Sequence, residues 1–177
     1  DLSGLTSFTD SALSVQAGGS VLTPNLTDVT GSSFYVKGQG TRFTMPAAVT
    51  SHDSGTTRVD RFFQVEDGGL LDLSSLTSLT SNSQGWTTYF RAYGGGTLLM
   101  PNLTALTNHS VTVRAEGSGS QIDLSGLTTW QGQFPNGRRS SLTGLADTTI
   151  NVPALTSLDQ VDVTLSGAGT LTTGQIT

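Results

Sequence analysis

The side chains with the most chemical potential recur once per repeat through the middle of the chain. Tyr35, Phe62 and Tyr89 are aromatic; two residues on from each stand Lys37, Gln64 and Arg91. Glu66 and Tyr93 follow two further on, and Arg114 and Glu116 continue the spacing without the aromatic. Flat apolar rings beside cations, amides and carboxylates suit a sugar: the ring face takes the pyranose C–H face, and the charged groups bind its hydroxyls. These ten residues are the candidate ligand-binding set, and a polysaccharide or cell-surface glycan is the expected partner. A plainer role competes with this one. Cross-strand aromatic pairs shield a sheet for ~0.2–1 kcal/mol each, and Glu66, Arg91, Arg114 and Glu116 also suit a surface salt-bridge ladder of small net value.

Catalysis is the weaker expectation. If Glu66 and Glu116 stack two coils apart, their separation is ~9–10 Å, near the upper end of inverting-glycosidase geometry. The most charged stretch, His52–Asp67, holds His52, Asp53, Arg58, Asp60, Arg61, Glu66 and Asp67, and reads as a solvated loop with its exit strand. No metal or cofactor is expected: Asp1, Asp72 and Asp123 share a column with other coils between them, too far apart for one cation. His52 and His109 stand alone. Asn25, Asn102 and Asn108 each begin an Asn-x-Ser/Thr triplet, which a threonine-rich repeat produces by chance.

The element that must position these residues is a repeat. Its clearest copy is LLMPNLTAL, Leu98 to Leu106, and six others share its pattern. Their central residues are Leu5, Leu26, Val49, Leu76, Leu103, Leu127 and Leu155, at intervals of 21, 23, 27, 27, 24 and 28 residues. The copy ending at Val49 needs one inserted residue within Pro46-Ala47-Ala48. Each copy has a Ser or Pro two residues before its central residue, except that the insertion moves Pro46 to three before Val49. A threonine follows every time. Proline in four of the seven copies excludes a helix there. Val111 and Val113, or Val161, Val163 and Leu165, alternate with polar residues as strands do, and glycine turns separate these runs.

Periods of this length mean stacked units that cannot bury their own apolar faces alone. The expected fold is all-β, a right-handed parallel β-helix of about seven coils of 21–28 residues, the handedness following from parallel crossovers. Residues 1–177 form one repeat domain, read as an excised segment of a longer protein. The expected core is Leu2, Leu5, Leu26, Leu73, Leu76, Met100, Leu103, Leu106, Leu124, Leu127, Val152, Leu155 and Leu158. Long intervals imply outward bulges at His52–Asp60 and Gln131–Ser141. Equal positions stack into columns, one running Ser14, Tyr35, Phe62, Tyr89, Thr112. The threonine column also raises ice binding, but an ice-binding face needs two parallel outward columns and the next position alternates away.

A net charge of −5 leaves no basic surface for a phosphate backbone, so nucleic acid is not an expected partner. The sequence has no cysteine, hence no thiolate site and no disulfide framework. No apolar run reaches membrane length, and membrane insertion is not expected.

The phrases PNLTAL, DLSSLTSL and DLSGLT resemble the repeat coils of bacterial surface and secreted parallel β-helix proteins, and more weakly the repeats of receptor L domains. L domains usually carry cysteines and helical segments, which are lacking here. The resemblance covers nearly the whole chain through a packing motif, and implies adhesion, scaffolding or glycan contact by a secreted or cell-surface protein. The expected function is therefore an extracellular structural and adhesion module with a weak glycan-binding face. Two alternatives stand beside it: a polysaccharide-active β-helix lyase or hydrolase, and a filament subunit that associates end to end.

Overall fold

The computed structural model describes residues 1–57, 59–80, 86–107, 110–132, 139–167 and 169–172. Strands, with no helix among the described residues, run in sequence around three faces. β1 (Ala12–Gln16) opens the widest face, and the next turn lays β2 (Ser33–Lys37), β3 (Arg42–Thr44) and β4 (Ser51–Asp53) on successive faces. That order repeats in β5 (Arg61–Glu66), β6 (Leu70–Asp72) and β7 (Ser78–Thr80), then in β8 (Thr87–Tyr93), β9 (Thr97–Leu99) and β10 (Ala105–Leu106). It continues with β11 (Ser110–Glu116), β12 (Gln121–Asp123) and β13 (Thr129–Gln131), and with β14 (Ser140–Leu145), β15 (Thr149–Asn151) and β16 (Ser157–Asp159). β17 (Val161–Ser166) and β18 (Thr170–Thr172) follow.

Like strands pair in parallel. The widest sheet is β1-β2-β5-β8-β11-β14-β17 and the second β3-β6-β9-β12-β15-β18, while the third face divides into β4-β7 and β10-β13-β16. The chain is an all-β parallel solenoid, as its repeat predicts. The coil number is corrected. Seven rungs stack on the widest face, but only four consecutive turns, those beginning at β2, β5, β8 and β11, have a strand on every face and every inward side chain buried. The outer turns close less well because an outermost rung has a neighbour on one side only.

The core is a set of columns along the axis. Phe34, Phe63 and Phe90 stack inward from the widest sheet, with centroids 5.8 and 5.3 Å apart. Val36, Val65, Ala92 and Ala115 stand beside them; Phe43, Leu71, Leu98, Ile122 and Ile150 fill the second face. Ten of the expected core residues are buried. Leu2 is 43% exposed, and Leu5 and Leu158 are half-buried, since each lies in an outer turn. Trp130, fully buried on the third face, completes the core in the turn of β11.

The repeat's polar positions have structural work. Thr27, Thr77, Thr128 and Thr156 each donate both N–H and Oγ1 to the carbonyl of a threonine one coil back, at 2.8–3.1 Å. The hydroxyls of these four threonines are thereby engaged by the fold. Asn25 and Asn102 donate their side-chain amides to the carbonyls of Ser3 and Ser74, clamping one corner to the next. Asn108 and His109 lie outside the described residues. Gly126 is required by contact: a Cβ there would sit 2.3 Å from the Pro101 carbonyl oxygen.

The ladder makes a prediction. Thr128→Val, which deletes a 3.0 Å hydroxyl bond to Thr104 O, should cost about 0.5–1.5 kcal/mol in urea unfolding. Thr104→Val is the control, because no hydrogen bond crosses from Thr104 to Thr77 among the described residues. Equal losses in both variants would mean that the hydroxyl ladder does not stabilise the stack.

Candidate functional site

The widest sheet presents its outward side chains in three columns. One runs Ser33, Phe62, Tyr89, Thr112, Ser141, Asp162, the next Ser14, Tyr35, Gln64, Arg91, Arg114, Thr143. The third runs Gln16, Lys37, Glu66, Tyr93, Glu116, Leu145. All ten expected residues therefore share one face, but the register between β2 and β5 is two residues from the expected one. Tyr35 stands opposite Gln64 rather than Phe62, and Lys37 opposite Glu66 rather than Gln64. A shift of two keeps every side chain on its face, so alternation could not detect it. The Phe-x-Val phrase common to Phe34-Val36 and Phe63-Val65 carries the correct phase.

The aromatics stay adjacent despite the shift, because Tyr35 reaches Phe62 diagonally. Tyr35 and Phe62 stack at 5.9 Å and Phe62 and Tyr89 at 4.9 Å, nearly parallel. The Arg91 guanidinium carbon lies 4.1 Å from the Tyr89 centroid and 5.1 Å from that of Phe62. The rings thus lean on one another along the axis. Tyr35 ends the row, and its neighbour on β1 is Ser14, a small residue. Beside it opens a hollow of about 170 Å³, bounded by Ser14, Gln16, Lys37, Gln64 and Glu66. Burial pushes the Tyr35 phenol above its ordinary range, so it is a neutral hydrogen-bonding group at physiological pH.

Most charges on this face are already matched. Lys37 Nζ lies 3.0 Å from Glu66 and 3.4 Å from Asp67, and its hydrogen bond to Glu66 and the two negative charges push the ammonium up. Gln64 donates its side-chain amide to Glu66. Arg114 holds Glu116 through Nε and Nη2 at 3.0 and 2.7 Å. Arg91 differs: it forms no ion pair among the described residues, its buried Nε has no partner, and its bond to Gln64 Oε1 is long at 3.5 Å. Tyr93 completes the column between Glu66 and Glu116, which stand two rungs apart.

The His52–Asp67 stretch is the larger correction. His52 is fully buried in β4, its Nε2 donates to Ser32 O at 2.9 Å, and its ring meets Phe63 edge-on at 4.8 Å. Arg61 is buried as well. Its Nε donates to Ser54 O at 3.1 Å, and its Nη2 reaches Thr57 and, at 3.2 Å, Asp10. Rather than bulging outward, residues 54–57 fold back around this guanidinium. The Asp10–Arg61 pair passes over the intervening coil at Gly31, where a Cβ would lie 2.2 Å from Asp10 Oδ1. An arginine in a charged run gives no sequence signal of such burial. The other expected bulge, Gln131–Ser141, falls largely outside the described residues.

No group of three or more His, Cys, Asp or Glu that could hold a metal occurs among the described residues. Asp72 and Asp123 each accept the N–H of the serine two residues on, closing their own corners. No helix among the described residues is long and apolar enough to cross a membrane. Comparisons with protein-family models, with curated proteins and with solved structures found no match to this chain.

Proposed function

We propose that this solenoid is a structural and adhesion module of a secreted or surface-displayed bacterial protein, and that its widest face rests weakly on saccharides at the Tyr35 hollow. The observation that carries this reading is the position of Tyr35 at the end of the aromatic row, beside a hollow rimmed by a hydroxyl, two amides, an ammonium and a carboxylate. A pyranose on that ring would meet Gln16 and Gln64 as hydroxyl partners and Lys37 and Glu66 as charged ones. Phe62 and Tyr89, already stacked, serve mainly to hold Tyr35 in place. The cysteine-free composition and the likeness to bacterial surface coils support the setting.

Affinity electrophoresis on a panel of neutral and acidic polysaccharides tests the reading, with released reducing ends followed in the same tubes. Wild type should be retarded on at least one glycan, and Tyr35→Ala should lose that retardation. Tyr93→Ala, away from the hollow, should keep it. No retardation on any glycan would sink the saccharide reading. Released product would favour the enzyme alternative, for which the relevant observation is the Glu66–Glu116 column. Concentration-dependent rods in the electron microscope would favour the other alternative, end-to-end association.

A further inference from the structure

Between the first two rungs the second face comes apart. Ser20 bridges Arg42, and Arg42 N–H donates to Gly19 O at 3.1 Å, but no hydrogen bond joins residues 21–24 to residues 43–46. One coil on, the equivalent ladder is intact: Met45 N–H reaches Asp72 O at 2.8 Å, and Leu73 N–H reaches Leu99 O at 2.8 Å. The cause is local. The repeat ending at Val49 carries one extra residue within Pro46-Ala47-Ala48, and Pro46 is displaced into the corner acceptor role, receiving Val49 N–H at 2.9 Å. Immediately before its central residue this coil has Ala48, which lacks the amide that Asn25 and Asn102 use to clamp their corners. Pro24 and Pro46 have no N–H to offer either.

The result is a cavity of about 610 Å³ between the diverging coils, in the size range of binding clefts. Leu22, Pro24, Met45, Pro46 and Ala47 give it apolar walls, and Leu22 is 66% exposed. Two of its polar groups are unsatisfied among the described residues. Thr23 is only 5% exposed, yet its Oγ1 has no hydrogen-bond partner; Ser75 Oγ, on the far wall, has none either. Thr44, with the parallel-ladder phase of Arg42, turns its N–H and C=O toward the coil that has moved away. Buried polar groups left this way carry a cost that a ligand removes.

We propose that this slot binds an extended peptide segment with apolar side chains, which enters beside β3 as an added strand. This goes beyond the saccharide reading and uses a different face. An unpaired strand edge selects a peptide over other apolar ligands, because main-chain amides supply donor and acceptor at the β spacing that Thr44 presents. Arg42 and Asp72 place one charge of each sign on the lining, so the slot selects for the main chain and the apolar side chains rather than for a flanking charge.

The test is titration of the intact chain, followed by amide NMR, with a pool of blocked pentapeptides alternating Val, Leu or Phe with Thr or Glu. Binding should move the Thr23 and Thr44 resonances and slow hydrogen exchange at the Thr44 amide, which starts faster than that of Met45. The same peptides N-methylated at alternate amides should not bind. Ala47→Glu, an exposed substitution that leaves the core untouched, should weaken binding about tenfold by placing a charge in an apolar wall. Decanoate and decanol serve as non-peptide probes. Absence of peptide binding, equal binding of the N-methylated pool, or binding of decanoate alone would each overturn the proposal. A glycan result at Tyr35 bears on none of these outcomes.

Discussion

Phe63→Ala is expected to cost about 3–5 kcal/mol of stability, the usual range for deleting a fully buried phenylalanine. Phe63 has no exposed surface and touches three rings: Phe34 at 5.8 Å, Phe90 at 5.3 Å and His52 at 4.8 Å. These contacts tie three successive rungs of the widest sheet to the third face, so the cavity cannot collapse without moving the stack. Stacked repeats share stability through neighbours, and the loss should appear as a lower urea midpoint. A cost under about 1 kcal/mol would mean that the void is refilled or that the turns are not packed as described.

Arg61→Ala should be the next most damaging change, at about 2–4 kcal/mol. Removing the guanidinium leaves Ser54 O without its charge-assisted donor and opens the pocket formed by residues 54–57. Asp10→Asn separates the two parts of that loss. Asp10 is about half exposed, and a pair with one solvated partner contributes little, roughly 0–1 kcal/mol, so D10N should be mild. Equal effects from the two variants would place the energy in the ion pair and contradict the role given to Ser54 O.

Much of the architecture was legible because burial repeats. Leucine, methionine and valine at fixed positions from each Ser/Pro corner mark the inward columns, and strict alternation marks the widest sheet. What stayed hidden was polar burial. His52, Arg61 and the corner hydroxyls of Thr41 and Ser120 are all at or near zero exposure, yet their types suggest surface. Thr41 and Ser120 each donate to the carbonyl four residues back at 2.8 Å and accept an N–H from a neighbouring coil. The solenoid's serine and threonine content is thus partly internal, which is why a chain so lean in hydrophobic residues can still close a core. A hydroxyl buried against a backbone corner leaves no periodic signal distinct from one facing water.

The candidate face was legible in membership and wrong in phase. All ten residues project from one sheet, but a two-residue slip displaced Tyr35 and Lys37 from their expected neighbours. The inserted residue within Pro46-Ala47-Ala48 was visible as an awkward alignment, while its consequence, the opened slot, required knowing which hydrogen bonds the coil gave up.

The most direct measurement of the central claim is amide and side-chain NMR of the chain titrated with soluble fragments of a retained polysaccharide. Shifts should concentrate at Ser14, Gln16, Tyr35, Lys37, Gln64 and Glu66, which surround the hollow, with Thr143 and the second and third faces unchanged. Shifts centred on another face, or none at saturating fragment, would contradict it.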